Sequence, residues 1–158
     1  MLIQTPANVA AFWNEFTASV DGIDDARFYE AFCFGDSEAL AAELAALVLS
    51  GTKQATAGLL TSFTDAGKRL PTLGDLSVVT DWTGAALCII ETRSVEVVPF
   101  AQVTAEFAAT EGEGDGSLAF WREAHHAFFT RECATAGCAF TEDMLVVCER
   151  FRVVYQPV

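Results

Sequence analysis

The strand-forming segments of this chain are bunched rather than dispersed. Residues 76–82 and 85–98 alternate in character and meet at Thr83-Gly84, which makes them a hairpin, and residues 144–155 form a β-rich close to the chain. Helical-period segments lie before and between them, without the regular strand–helix alternation of a parallel doubly wound sheet. The pattern therefore predicts an α+β fold. With a short aromatic strand over 27–34, about six strands are expected, enough to curl into a small barrel.

The helical segments carry their own punctuation. Thr5-Pro6 supplies a cap and a first-turn proline, Val9, Phe12, Trp13, Phe16 and Val20 then recur at helical spacing, and the helix is expected over 6–19. Asp36-Ser37 caps a second helix over 38–49, with Leu40, Leu44, Leu47 and Val48 as its buried stripe and Gly51 as its stop. Residues 58–67 read as a loop or a short helix, and Leu70-Pro71-Thr72-Leu73-Gly74-Asp75 as a turn. Pro99-Phe100 opens a short helix through residue 109, which the glycine-spaced acids Glu111-Gly112-Glu113-Gly114-Asp115 break. Ser117 then caps an aromatic helix with Leu118, Trp121, Ala124, His125, Phe128 and Phe129 inward.

No repeat, low-complexity linker or composition break divides the chain, so residues 1–158 are expected to form one domain. A chain of 158 residues buries about two-thirds of the surface that its unfolded form exposes, and needs no covalent staple. Cys33, Cys88, Cys133, Cys138 and Cys148 are odd in number and mostly in apolar surroundings, as suits reduced thiols. Cys133 and Cys138 lack the second pair or the histidine spacing of a zinc site. Residues 1–10 lack the basic and apolar regions of a secretory signal, and no apolar run reaches membrane-spanning length. A cytoplasmic protein without membrane contact is the expectation.

The formal net charge of −13 weighs on the choice of partner, because an acidic surface repels polyphosphate. A small nucleoside escapes that repulsion. Extended RNA would need Lys53, Lys68, Arg69, Arg122 and Arg131 to converge in one basic cleft.

Among motifs that carry chemistry, Gly51-Thr52-Lys53-Gln54-Ala55-Thr56 stands out in a chain with only two lysines. A desolvated lysine can take the proton of a threonine hydroxyl three residues on, whereas a lysine just past a helix can also do no more than satisfy its terminal carbonyls. Glu111, Glu113 and Asp115 admit three readings: a general acid or base brought close by flanking glycines, a solvated loop capping the next helix, or a magnesium loop. His125 lies on the aromatic stripe, where a hydrogen-bonded core histidine is expected. Trp82, at the hairpin tip, is the better candidate for stacking on a base. No Walker loop, nucleophile elbow or zinc-protease pair is present in the sequence.

In order and spacing, the lysine motif, the Leu70-Pro71 and Gly74-Asp75 turn, the acidic loop and Cys148-Glu149-Arg150-Phe151 together resemble the ASCH domain, a family similar to PUA domains and associated with RNA metabolism. The resemblance covers about residues 28–155 and leaves 1–27 as an N-terminal helical extension, a candidate cover for the cleft or a homodimer surface. It implies a small PUA-like β-barrel flanked by helices. Some smaller members are amidohydrolases that remove acyl groups from the exocyclic nitrogen of cytidine. By that resemblance Lys53 is the base, Thr56 the nucleophile and Glu111, or alternatively Glu113, the proton relay. Arg69, Trp82, Asp115 and Arg122 are the expected substrate-binding residues, with no cofactor or metal. Other branches imply an RNA-binding module or ribonuclease acting on single-stranded RNA, or a noncatalytic nucleotide sensor.

Overall fold

In the computed structural model, which describes residues 5–157, helices pack on both faces of one five-stranded sheet. Residues 1–4 and 158, which fall within the expected domain and its N-terminal extension, lie outside the described residues. The elements in chain order are α1 (Ala7–Ser19), β1 (Phe28–Phe32), α2 (Glu38–Leu49), β2 (Ala55–Leu59), α3 (Leu60–Asp65), β3 (Leu76–Thr80), β4 (Ala86–Pro99), α4 (Ala105–Glu111), α5 (Leu118–Ala136) and β5 (Leu145–Tyr155). Two 3-10 turns, Asp25–Arg27 and Phe100–Gln102, connect them.

Strand order is β1-β3-β4-β5-β2, with β1 parallel to β3 and the remaining pairs antiparallel. The α+β class thus stands, but the expected barrel is an open sheet. β1 and β2 are its edges, each five residues long. A cavity of about 140 Å³ lies between them, walled by Glu30 and Phe32 of β1, Thr56, Ala57 and Gly58 of β2, and Phe63.

Strand alternation sends successive side chains to opposite faces, and the core divides accordingly. Leu76 and Val78 of β3 with Ile89 of β4 receive Val9, Phe12, Trp13 and Phe16 of α1. On the opposite face, Val79, Cys88 and Ile90 receive Leu44 and Val48 of α2, with Phe34 and Phe151. Farther along the sheet, Ala55, Leu59, Val146 and Cys148 pack against Phe107 of α4 and Trp121, Phe129 and Cys133 of α5. The N-terminal extension is therefore a core helix: Trp13 is fully buried and its indole donates to Asp25 at 2.8 Å.

Local signals account for most boundaries. Ser37, Thr104 and Ser117 each accept a backbone N–H from the first turn of the helix they cap. Thr5 does not cap α1; Pro6 occupies the cap position with no side-chain hydrogen bond. The helix expected from Pro99 splits into a 3-10 turn and α4, because Thr104 supplies a stronger start. β2 is the element that the sequence pattern does not reveal, since Ala-Thr-Ala-Gly-Leu has little strand character of its own.

Candidate functional site

The path of the chain out of α2 places the site. Gly51 takes a left-handed conformation, and the backbone N–H groups of Thr52 and Lys53 both return to the Leu47 carbonyl at 3.0 Å. That turn drops Lys53 inward, where it is 1% exposed. The next residue threads between two elements: Gln54 N–H donates to the Thr110 carbonyl of α4 at 2.9 Å, and its own carbonyl accepts from Phe151 of β5 at 3.0 Å.

The same crossing makes Gly112 obligatory. Its φ is +65°, and a Cβ there would stand 2.3 Å from the Thr52 carbonyl oxygen. α4 can end against the lysine segment only because that residue has no side chain. Its last residue, Glu111, and the following Glu113 are thereby aimed at Lys53.

All three ammonium hydrogens of Lys53 are then accounted for. Nζ donates to the Ala55 carbonyl at 2.8 Å, to Glu111 Oε1 at 2.7 Å and to Glu113 Oε2 at 2.8 Å. Glu111 is as buried as the lysine, and its second oxygen accepts from the Trp121 indole N–H and faces His125 Nε2 at 3.2 Å. Trp121 and His125 come from α5 four residues apart and are stacked at 4.1 Å. The Phe34 ring lies 5.4 Å from the ammonium.

These contacts separate the protonation states. Burial alone would push the Lys53 pKa down, but the two carboxylates more than offset it and hold the amine charged, above its ordinary value. Burial likewise opposes the charged form of Glu111. The Lys53 ammonium and the His125 imidazole outweigh that cost and hold the carboxyl well below the usual range. Glu113 goes the other way, since burial and the neighbouring Glu111 charge raise its pKa beyond what Lys53 lowers it. His125 is disfavoured as a cation by burial yet raised overall by Glu111 and Glu113. Two carboxylates two residues apart thus have opposite proton affinities.

Donor atoms of Glu111, Glu113 and His125 lie within 4.8 Å of one another, a grouping that can in principle hold a metal. The Lys53 ammonium already stands against both carboxylates, and a divalent cation would have to displace it. The set suits proton chemistry.

The group opens into a cavity of about 300 Å³, a size that suits a small organic ligand. Thr56 and Ala57 of β2 form part of its wall, as do Phe34 and Gly35 after β1 and Phe128 and Arg131 of α5. Thr56 also borders the smaller seam cavity. There it stands opposite Glu149 of β5, whose carboxyl burial pushes up to about 7. Arg131 lies over Phe128 and pairs with Asp36 at 2.9 Å, tying α5 to the loop before α2.

The structure therefore brings Lys53, Thr56, Glu111 and Glu113 to one cavity. It does not bring Arg69, Trp82, Asp115 or Arg122 to it. Arg69 is consumed by a two-pronged pair with Asp75 and lies over the Tyr29 ring. Trp82 is 47% exposed at the hairpin tip. Asp115 turns back to the Ser117 N–H, and the exposed Arg122 reaches the Ala101 carbonyl only at 3.4 Å. His125 is the buried, hydrogen-bonded histidine expected on the aromatic stripe, and it is in addition a wall of the cavity and a partner of Glu111. The sequence held one hint of this in its spacing of four from Trp121. Nothing in the sequence coupled it to an acid fourteen residues earlier.

Comparison with known proteins agrees with this architecture. The ASCH domain family model matches residues 30–155. The high-resolution crystal structure of an ASCH domain from Lactobacillus crispatus JV V101 superposes with a TM-score of 0.90 at 40% identity, over 99% of this chain and 100% of that one. Protein EF3133 from Enterococcus faecalis V583 superposes with a TM-score of 0.81 at 35% identity, over 93% of this chain and 88% of that one. No curated protein matches significantly.

Proposed function

Since this chain belongs to the ASCH domain family, we propose that it is a hydrolase of a small modified nucleoside, removing an acyl group from the exocyclic nitrogen of cytidine or cytosine. The observation that carries the reading is the conjunction of a hydroxyl nucleophile, Thr56, with a carboxyl of raised proton affinity, Glu113, and a buried ammonium in one cavity of about 300 Å³.

The resting ion pairs set the roles. Lys53 is charged with every hydrogen engaged, so Glu113 rather than Lys53 accepts the Thr56 proton. Thr56 Oγ1 then forms a bond to the acyl carbon. The carbon–nitrogen bond breaks as Glu113 returns the proton to the departing exocyclic amine, leaving an acyl ester on Thr56. Water attacks that ester, Glu113 takes its proton, and the proton passes to Thr56 Oγ1 as the free acid leaves. Glu111, held by Lys53, Trp121 and His125, stays ionised throughout and aims the lysine. Lys53 keeps its proton, balances Glu113 while that carboxyl is ionised, and by its charge offsets the negative charge that gathers on the attacked carbonyl oxygen.

The test is turnover of N4-acetylcytidine by purified variants, with thermal melting as the folding control. Thr56→Ser should retain part of the rate, Thr56→Ala should lose at least about 100-fold, and Glu113→Gln should do likewise while Asp115→Asn changes nothing. Wild-type rates in Thr56→Ala would sink this mechanism. Absence of turnover together with tight, specific binding of single-stranded RNA would move the protein to a binding module.

A further inference from the structure

We infer that His125 is a positioning residue of this site, present as a doubly protonated imidazolium that clamps Glu111 and thereby keeps the Lys53–Glu111–Glu113 network aligned. The argument is geometric. His125 Nδ1 lies 3.0 Å from the Trp121 backbone carbonyl, which can only accept, so Nδ1 carries a hydrogen. Nε2 lies 3.2 Å from Glu111 Oε2. A neutral ring protonated at Nδ1 would turn the Nε2 lone pair against that oxygen.

The oxygen in turn is not a proton donor. Glu111 accepts from the Lys53 ammonium on Oε1 and from the Trp121 indole N–H on Oε2, and a carboxyl facing two such donors is a carboxylate. Both ring nitrogens of His125 therefore carry hydrogen. The ring is fixed as well as charged, since it stacks on Trp121 with an interplanar angle of 14° and meets Phe129 edge-on at 5.6 Å.

Charge balance points the same way. Lys53 and His125 are two cations set against two carboxylates in a region nearly closed to water. Removing the His125 proton would leave Glu111 and Glu113 with one cation between them. The Lys53 ammonium would then be shared between two carboxylates, and the second oxygen of Glu111 would keep only the Trp121 indole. The raised His125 pKa agrees with this, and gives the sign. The cationic ring and its clamp persist above the ordinary histidine value, and both are lost as pH rises through the raised one. The groups that face the ring in this titration are Glu111, Glu113 and, beyond them, Lys53.

The protonation assignment stands on the contacts alone, whereas its effect on turnover rests on the amidohydrolase reading. Two measurements keep them apart. The chain has two histidines, and replacing His126 with Asn leaves one imidazole to follow by nitrogen NMR during a pH titration. In that protein both His125 nitrogens should show protonated shifts at pH 7, and Glu111→Gln should move the titration to lower pH. A singly protonated ring at pH 7, or a titration unmoved by Glu111→Gln, would overturn the inference without reference to any substrate. In the second measurement, kcat/KM of the wild type for N4-acetylcytidine should fall on the alkaline side at the same midpoint that NMR gives. His125→Gln keeps an amide donor but cannot titrate, so it should flatten that limb at a rate reduced about tenfold, while His125→Phe should lose much more. An alkaline limb that persists in His125→Gln, or wild-type kcat in His125→Phe, would refute the positioning role. A wild type without turnover would remove the amidohydrolase reading and with it the positioning role, while NMR alone decided the protonation.

Discussion

Lys53 illustrates how a single residue can be both a stability risk and the organiser of a site. A fully buried ammonium is costly to desolvate, and here two carboxylates and a carbonyl repay the cost at 2.7 to 2.8 Å. Removing the cation leaves the partly buried Glu113 without its ion-pair partner and the buried Glu111 with only the Trp121 indole and the His125 ring. Lys53→Met is therefore expected to lose about 3–5 kcal/mol of stability, read from urea denaturation midpoints. The triple variant Lys53→Met, Glu111→Gln, Glu113→Gln should recover most of that loss, because no carboxylate is left to compensate and burial then returns His125 to its neutral form. Equal stability of the single variant and the wild type would mean that water solvates the site. The lysine motif was legible at this scale from sequence, as was the pair of candidate acids. The division of labour between Glu111 and Glu113 was not, because it depends on Trp121 and His125 from another helix.

At the scale of elements, the contact between the end of α4 and the segment leaving α2 matters most. Residues 52–54 pass so close to α4 that Gly112 has no room for a methyl group. Gly112→Ala should cost more than the ordinary strain of about 1–3 kcal/mol for a left-handed residue, since the obstacle is a backbone carbonyl that cannot swing aside. It should also weaken the Lys53–Glu113 contact. Thermal melting would register the first effect, and a loss of turnover larger than that of Asp115→Asn the second. An unchanged melting temperature would show that the crossing relaxes freely. Helix starts at Ser37 and Ser117 were readable because capping is local chemistry. β2 was not, since its pairing with β5 is set by a partner ninety residues away in sequence.

For the whole molecule, the net charge of −13 and the seam between β1 and β2 act together. The acids spread over the surface, while the site that joins this seam holds balanced charge around Lys53. A neutral nucleoside should enter without electrostatic penalty, so turnover of N4-acetylcytidine should change less than twofold between 50 and 300 mM salt. Any binding of single-stranded RNA should be weak and fall steeply over the same range. Salt-resistant, tight RNA binding would reverse that ranking. No helix among the described residues is long and apolar enough to cross a membrane.

The amino-acid sequence by itself determined the α+β class, the capped helices, the central hairpin and the residues from which the cavity chemistry is drawn. These follow from periodicity, caps and turn residues, all of which act within a few positions along the chain. Tertiary structure decided that the sheet stays open, that α1 belongs to the core, and that Arg69, Trp82, Asp115 and Arg122 stand away from the cavity. It also decided which acid keeps its charge and which gains proton affinity, and it recruited His125. Proton affinity in a buried cluster is fixed by distances of about three ångströms between residues from α2, α4 and α5, and no local pattern encodes those distances.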